Sequence, residues 1–244
     1  MSSPLVSIVT IVLNAGELLE KTIKNVLQQT YENIEYIIID GGSSDNCLEI
    51  IKKYEAHISC WVSESDEGIS DAFNKGILAS TGDWIIFLNA GDLFAHSGII
   101  ANWIAHENGN RVISSFAYYS NNEKRTIPKK AINNDDPLAR KSLISHQATM
   151  IRREIFNEYG FYNKNYRVRM DYEFWLRVLK YVKFEFIPIK AVKYDTSGVS
   201  FVNRNIFYLE EIRANTENLT RLVSIYWNSR LRIRRMIKRI LGAG

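Results

Sequence analysis

Carboxylates that follow a buried strand or open a helix are the residues most able to do chemistry in this chain of 244 residues. The apolar run Trp84–Leu88 empties into Asn89-Ala90-Gly91-Asp92. In an open α/β sheet ligands sit beyond the carboxyl ends of strands, so Asp92 could hold a divalent cation that bridges a diphosphate. It could equally cap the next turn, because Asn, Gly and Asp are ordinary turn residues. The run Ile34–Ile39 stops at Asp40-Gly41-Gly42-Ser43-Ser44-Asp45. Asp40 there could accept hydrogen bonds from a base or ribose, or cap its own turn. Far downstream, Asp171 opens an amphipathic segment, Met170 to Arg177. A carboxylate in that position can serve as a general base, or gain about 0.3–1 kcal/mol from the helix macrodipole. Glu173 is the second candidate for the base, and points from a different side of the helix. His146 reads either as a contact to an acceptor or diphosphate, or as a satisfied buried histidine.

The elements that must position these groups alternate. Leu5–Leu13 is a β-branched run that predicts a buried first strand with a loop at Asn14-Ala15-Gly16. Leu19, Ile23, Val26 and Leu27 follow at helical spacing. Ile34–Ile39, a helix to about Ala56, a strand at Ile58–Val62, a helix at Asp71–Ser80 and a strand at Trp84–Leu88 complete four βα units. Ala72, Phe73, Ile77 and Leu78 form the apolar side of the third helix, and Gly82 supplies a left-handed stop. Such alternation predicts an α/β fold with a parallel sheet and right-handed crossovers. The second half is less regular: a helix at Ile99–Glu107, strands at Val112–Tyr119 and Ser145–Ile151, and a loop or hairpin at Asn121–Lys130. A short helix at Arg153–Tyr159, the Met170 helix with Tyr181 on its core side, late strands at Phe184–Ile187 and Ala191–Tyr194, and a loop at Gly198–Ser200 complete it.

Composition excludes several classes. The first half carries no G-x-G-x-x-G after strand one and no Walker sequence, so nicotinamide and P-loop chemistry are not expected. Two cysteines, Cys47 and Cys60, make no disulfide or metal framework. The start MSSPLVSIVT lacks a basic leader and long apolar stretch, so no signal peptide is expected, and no run approaches a bilayer span. The net charge of +4 belongs to the end of the chain: six basic and no acidic residues lie between Arg230 and Arg239, which leaves 25 basic against 27 acidic elsewhere. The body therefore does not look nucleic-acid-binding. Tyr208–Leu241 reads as helical, with Ile233, Met236, Ile237, Ile240 and Leu241 on one side and most of the arginines on the other. A basic amphipathic helix can lie on an anionic membrane, or pack on the domain with a solvated charged face.

The segments VSIVTIVLN, IIIDGGSSD, the S-E-x-D-x-G-I-x-D-A-x-N-K-G stretch at 63–76, GDWIIFLNAGD, HQATMIRR at 146–153 and MDYEFWLR at 170–177 occur in this order. Together they resemble the family 2 glycosyltransferases, inverting nucleotide-sugar-dependent enzymes with the Rossmann-like GT-A fold, and the resemblance covers roughly residues 5–200. It implies a mostly parallel central sheet, a GT-A domain over 1–205 (nucleotide-sugar half 1–95, acceptor half 96–205) and a helical tail over 206–244. It implies that Thr10, Asn14 and Asp40 cradle the nucleoside, and that Asp66, Asp71, Asn74, Lys75 and Asn89 line the donor pocket. Asp171 matches the family's catalytic base; His146 and Tyr172 would face the acceptor. Asn89 and Gly91 replace acids of the family's D-x-D motif, leaving Asp92 as metal ligand for Mn²⁺ or Mg²⁺. The members most similar build bacterial O-antigen and other surface polysaccharides. Their likeness implies a UDP-sugar donor, a hexose, a polyprenyl-diphosphate-linked acceptor such as GlcNAc-diphosphoundecaprenol, a β-linkage, and a place on the cytoplasmic membrane face. A catalytically silent nucleotide-sugar-binding protein and a nucleic-acid-binding protein acting through its tail are the other classes the sequence admits.

Overall fold

The computed structural model describes residues 3–119, 125–126, 144–195 and 204–240. The β-branched opening run forms β1 (Val6–Val12), buried along its whole length. Alternation along it sends Val6, Ile8 and Val12 into a core with Leu19, Ile23 and Trp103, while Val9 and Ile11 meet Phe73, Ile77 and Phe174 on the other face. Each such aliphatic side chain contributes roughly 1.5–3 kcal/mol by burial, so the strand that presents the site is fixed from both sides. On one flank β1 pairs in parallel with β2 (Ile34–Asp40), which pairs with β3 (Cys60–Ser63). On the other flank it pairs in parallel with β4 (Trp84–Phe87). The crossovers are α1 (Gly16–Val26), α2 (Cys47–Lys53) and α3 (Ile69–Ala79). The order β3-β2-β1-β4 means that the chain walks outward from β1 and then returns to its opposite side. The crevice beyond the carboxyl ends of β1 and β4 is thus the topological switch point, where α/β sheets bind ligands.

Beyond β4 the strand directions mix. The elements are β5 (Leu93–Phe94), α4 (Ile99–Ala105), β6 (Val112–Tyr119), β7 (Arg125–Thr126) and β8 (Thr149–Arg152), then α5 (Glu154–Tyr159), α6 (Met170–Val178) and β9 (Glu185–Tyr194). β8 lies antiparallel between β4 and β6, β9 runs parallel to β6, and β5 closes the edge antiparallel to β9, giving nine strands among the described residues. The chain then enters α7 (Arg204–Asn218) and α8 (Arg221–Ile240). Among the described residues no helix is long and apolar enough to cross a membrane.

Several expectations change. The two late strands are one strand, β9, which continues through Pro188. Its register with β6 jumps from Ser114↔Phe186 to Phe116↔Lys190. Proline cannot donate to a ladder, and here it falls in the irregularity where no donor is required. Gly82 is no left-handed cap: α3 stops at Ala79, and a Cβ at Gly82 would lie 2.8 Å from the carbonyl oxygen of Leu5. The glycine permits close approach to β1, with its N–H on Ser7 Oγ at 3.0 Å. Leu78 and Tyr181, expected on apolar faces, are exposed. β5 has only two residues and no local pattern to announce it. The expected tail is two helices, of which α7 packs against α6. Of the loop or hairpin at Asn121–Lys130 only residues 125–126 are described, as β7 beside β6; Gly198–Ser200 and Leu241 lie outside the described residues.

Candidate active site

The carboxyl end of β4 stays attached to β1 past the strand proper: Leu88 N donates to Val9 O and Ala90 N to Ile11 O. The turn that follows is stapled by Thr22 of α1, whose Oγ1 accepts from Gly91 N at 2.9 Å and donates to Asp92 O at 3.0 Å. Gly91 has φ +97°, and a Cβ there would lie 3.0 Å from the Cβ of Asp195. Left-handed backbone and crowding together explain the missing acid at 91. A carboxylate from the end of β9 occupies that neighbourhood instead, and Asp195 N donates to Asp92 Oδ1 at 2.9 Å.

Asp92 is only 4% exposed. Burial pushes its carboxyl up to about 7; the charge of Asp195 adds to this, and bonds from Asp195 N, Asn89 N–H and the Gln147 side chain oppose it. A buried carboxylate beside a second, half-buried acid is costly to ionise, and a cation would offset that cost. The residues fit one. The donor set is oxygen, as Mg²⁺ and Mn²⁺ prefer, and Asn89 Oδ1 is buried with no hydrogen-bond partner among the described residues. No trio of His, Cys, Asp or Glu gathers among the described residues. The protein would supply only part of a cation's coordination shell here.

Asp171 stands half-buried in the first turn of α6. Its charge is felt by two buried neighbours, His146 and Tyr162, which hydrogen-bond to each other at 2.8 Å. The His146 ring stacks on Phe87 with centroids 4.8 Å apart. Burial lowers its pKa to about 4 despite Asp171, so it is neutral at pH 7. His146, expected either at the acceptor or as a satisfied buried histidine, is buried with its ring nitrogen on the Tyr162 hydroxyl. The next residue, Gln147, stands near enough to Asp92 for its side chain to favour the ionised carboxylate. One dipeptide therefore spans the two carboxylates, its histidine in the field of Asp171 and its glutamine near Asp92.

The other expected residues divide. Asn14, at φ +51°, ends β1 on the crevice side and accepts from Ser44 N at 2.8 Å. Asp66 lies against Gly41 at the end of β2 and accepts from Gly68 N at 2.8 Å. Lys75 pairs with Glu64 at 2.8 Å, and Asp71 with Lys164 at 2.5 Å, which holds the Asp71 carboxyl below the usual range. Four corrections are required. Thr10 is fully buried between Tyr36 OH and Leu88 O. Asn74 clamps the backbone of Tyr162, accepting at 3.0 Å and donating at 2.9 Å. Asp40 is fully buried and takes its donors from Ser43 and Ser63, the turn-capping alternative. Tyr172 is buried and donates its hydroxyl to Asn215 at 2.7 Å, so it cannot face an acceptor. Glu173, the second candidate base, is engaged by Arg177 at 3.1 Å.

The family model of glycosyl transferase family 2 matches residues 7–170. The chain belongs to glycosyl transferase family 2. It is 30% identical over 205 residues to an uncharacterized glycosyltransferase of Mycobacterium tuberculosis, covering 81% of this chain and 78% of that one. A PGL/p-HBAD biosynthesis glycosyltransferase of Mycobacterium bovis is 30% identical over 184 residues, 72% of this chain and 70% of its own. In fold the family 2 chain is GT-A. Staphylococcus aureus TarS 1–349 superposes with TM-score 0.73 at 13% identity, over 90% of this chain and 68% of TarS. The Pyrobaculum calidifontis mannosyltransferase PcManGT superposes at 0.68 and 14% identity, over 89% of this chain and 64% of its own. Sequence reasoning missed Asp195 and Thr22, which reach the site only through the β5–β9 ladder and the α1 crossover. Gln147 lay inside a quoted motif but carried no signal of its own.

Proposed function

We propose that this glycosyltransferase moves a hexose, glucose or galactose, from a UDP-sugar to a lipid-linked acceptor such as GlcNAc-diphosphoundecaprenol, forming a β-linkage in bacterial O-antigen or related surface-polysaccharide synthesis. The observation that carries the reading is the pairing of a buried Asp92, with Asp195 beside it, and a half-buried Asp171 across the His146-Gln147 dipeptide. Structures of TarS with UDP and with UDP-GlcNAc, and of PcManGT with GDP-Man and Mn²⁺, support a nucleotide-sugar donor. Asp171 accepts the proton of the acceptor hydroxyl as that oxygen attacks the anomeric carbon. The bond from that carbon to the diphosphate breaks, and its electron pair leaves with UDP. A Mn²⁺ or Mg²⁺ ion held by Asp92 and Asp195, when bound, neutralises charge on the departing diphosphate. No second carboxylate is free to act as nucleophile from α6, because Glu173 is held by Arg177, and a single displacement inverts the anomer.

A thermal-shift and transfer screen of nucleotide sugars, with and without Mn²⁺, tests this. A UDP-hexose at 100 times its Kd should stabilise the fold by about 2.7 kcal/mol, or about 5–10 °C for a chain of this size, and only with the cation present. If no nucleotide sugar protects the protein, the reading is wrong.

The membrane face of the proposal rests on α8. Leu222, Ile225, Tyr226, Ile233 and Met236 are all exposed, Leu222 at 82%. At 100° per residue they fall within an arc of about 100°, with Arg230 and Arg232 on its two edges. Buried Ser224 and Leu231 lie opposite. An apolar stripe edged by cations complements an anionic bilayer interface. The protein should sediment with phosphatidylglycerol vesicles and not with phosphatidylcholine ones, and Leu222→Ser with Ile225→Ser and Ile233→Ser should abolish this. Failure to bind vesicles, or salt-sensitive binding to duplex DNA in their place, would refute it.

A further inference from the structure

α6 begins without a cap of its own. The residue at its N-cap is Arg169, which makes no side-chain capping bond, although the first backbone N–H groups of any helix need partners. Within the helix Asp171 Oδ1 accepts from Tyr172 N at 2.7 Å; α7 supplies the partner of the N-cap amide and of the two amides before it. Glu210, only 8% exposed, accepts from Arg167 N at 2.7 Å, Val168 N at 2.9 Å and Arg169 N at 2.8 Å. Asp171 is two residues beyond the last of these donors. α7 secures the same stretch twice more, through Asn215 on the Tyr172 hydroxyl and Phe207, whose ring lies 4.2 Å below the Arg169 guanidinium. It lies wholly outside residues 7–170, the part of the chain that the family model matches.

We infer that Glu210 is a positioning residue for the reaction: a carboxylate from the C-terminal helix pair that fixes the turn from which the proposed base Asp171 emerges. Its two oxygens satisfy three amides, those of Val168 and Arg169 in a buried setting, and its charge opposes the positive end of the α6 dipole. The reacting geometry tolerates little motion there, since a base displaced by about 1 Å loses on the order of 100-fold in rate. This inference rests on the transfer reaction proposed above.

The test is Glu210→Gln in the full chain, with kcat, donor KM and UDP affinity measured alongside Tm. A carboxamide keeps the shape but offers a single acceptor oxygen and turns two N–H groups toward the donors. We expect kcat to fall on the order of 10- to 100-fold with UDP affinity within about threefold of wild type, and Glu210→Asp to recover part of the loss. If Glu210→Gln does not fold, Glu210→Asp carries the same kcat-against-affinity comparison. An unchanged kcat in the folded variant, or equal losses in kcat and UDP affinity, would overturn the role. Wild-type protein that shows neither nucleotide-sugar protection nor transfer would instead overturn the functional reading beneath it.

Discussion

Asp171→Asn removes transfer while leaving the donor bound. The side chain keeps its size but can no longer take the acceptor's proton, so kcat should fall roughly 10²–10⁴-fold. UDP-sugar protection in a thermal shift should persist, because the proposed cation site at Asp92 lies across the His146-Gln147 dipeptide. Stability should change little, since a half-buried acid in a first helical turn contributes at most about 1 kcal/mol. Glu173→Gln is the informative contrast. It weakens a pair in which Arg177 is partly exposed and keeps the carbonyls of Tyr159, Gly160 and Phe161, and should cost roughly 1–3 kcal/mol, with near-normal turnover per folded molecule. A variant at 171 that retains more than a tenth of wild-type kcat would remove Asp171 from the mechanism and return Glu173 to consideration.

Asp92→Asn should make the metal-free protein more stable and deaf to the cation. The sign follows from burial. The folded-state value of about 7 lies above the ordinary 3.8, so the folded protein holds the proton more tightly than the unfolded chain. Stability is therefore lost as pH rises from about 4 through about 7, by up to roughly 4 kcal/mol at 1.4 kcal/mol per unit. Asparagine carries no charge to desolvate. At pH 8 in EDTA the variant should melt higher than wild type, and the gap should close as pH falls toward 4. With Mn²⁺ and UDP the order reverses: wild type gains and Asp92→Asn does not. A variant that still responds to Mn²⁺ and UDP would exclude Asp92 as a ligand.

What could be read from the letters was whatever repeats locally. β1, β2 and β4 announce themselves by runs rich in apolar, mostly β-branched residues, and the crevice at their carboxyl ends follows from the order in which they were laid down. Asp92 and Asp171 were visible because each begins or ends such an element. The misassignments share a physical cause. Thr10, Asn74 and Tyr172 are polar residues near the right place whose hydrogen-bonding groups are consumed inside the protein, by Leu88 O, the Tyr162 backbone and Asn215. Partners 78, 88 and 43 residues away leave no mark in the neighbouring letters. Asp195 stayed hidden for the converse reason: it ends a strand whose course is obscured by Pro188, and its role depends on a two-residue strand.

That two-residue strand sets a tolerance on the chemistry. β5 and β9 are paired as Leu93↔Lys193 and Phe94↔Val192, an antiparallel count that puts position 91 across from 195. Insert one amino acid between 193 and 195 with the pairing to β5 kept, and alternation carries the second acid to the far side of the sheet. The composition would be intact and the acidic pair gone. Variation among relatives at this end of the chain should accordingly be permissive in side chain yet strict in length, and a motif search that counts letters along the chain would overlook an acid pair that exists only across a ladder.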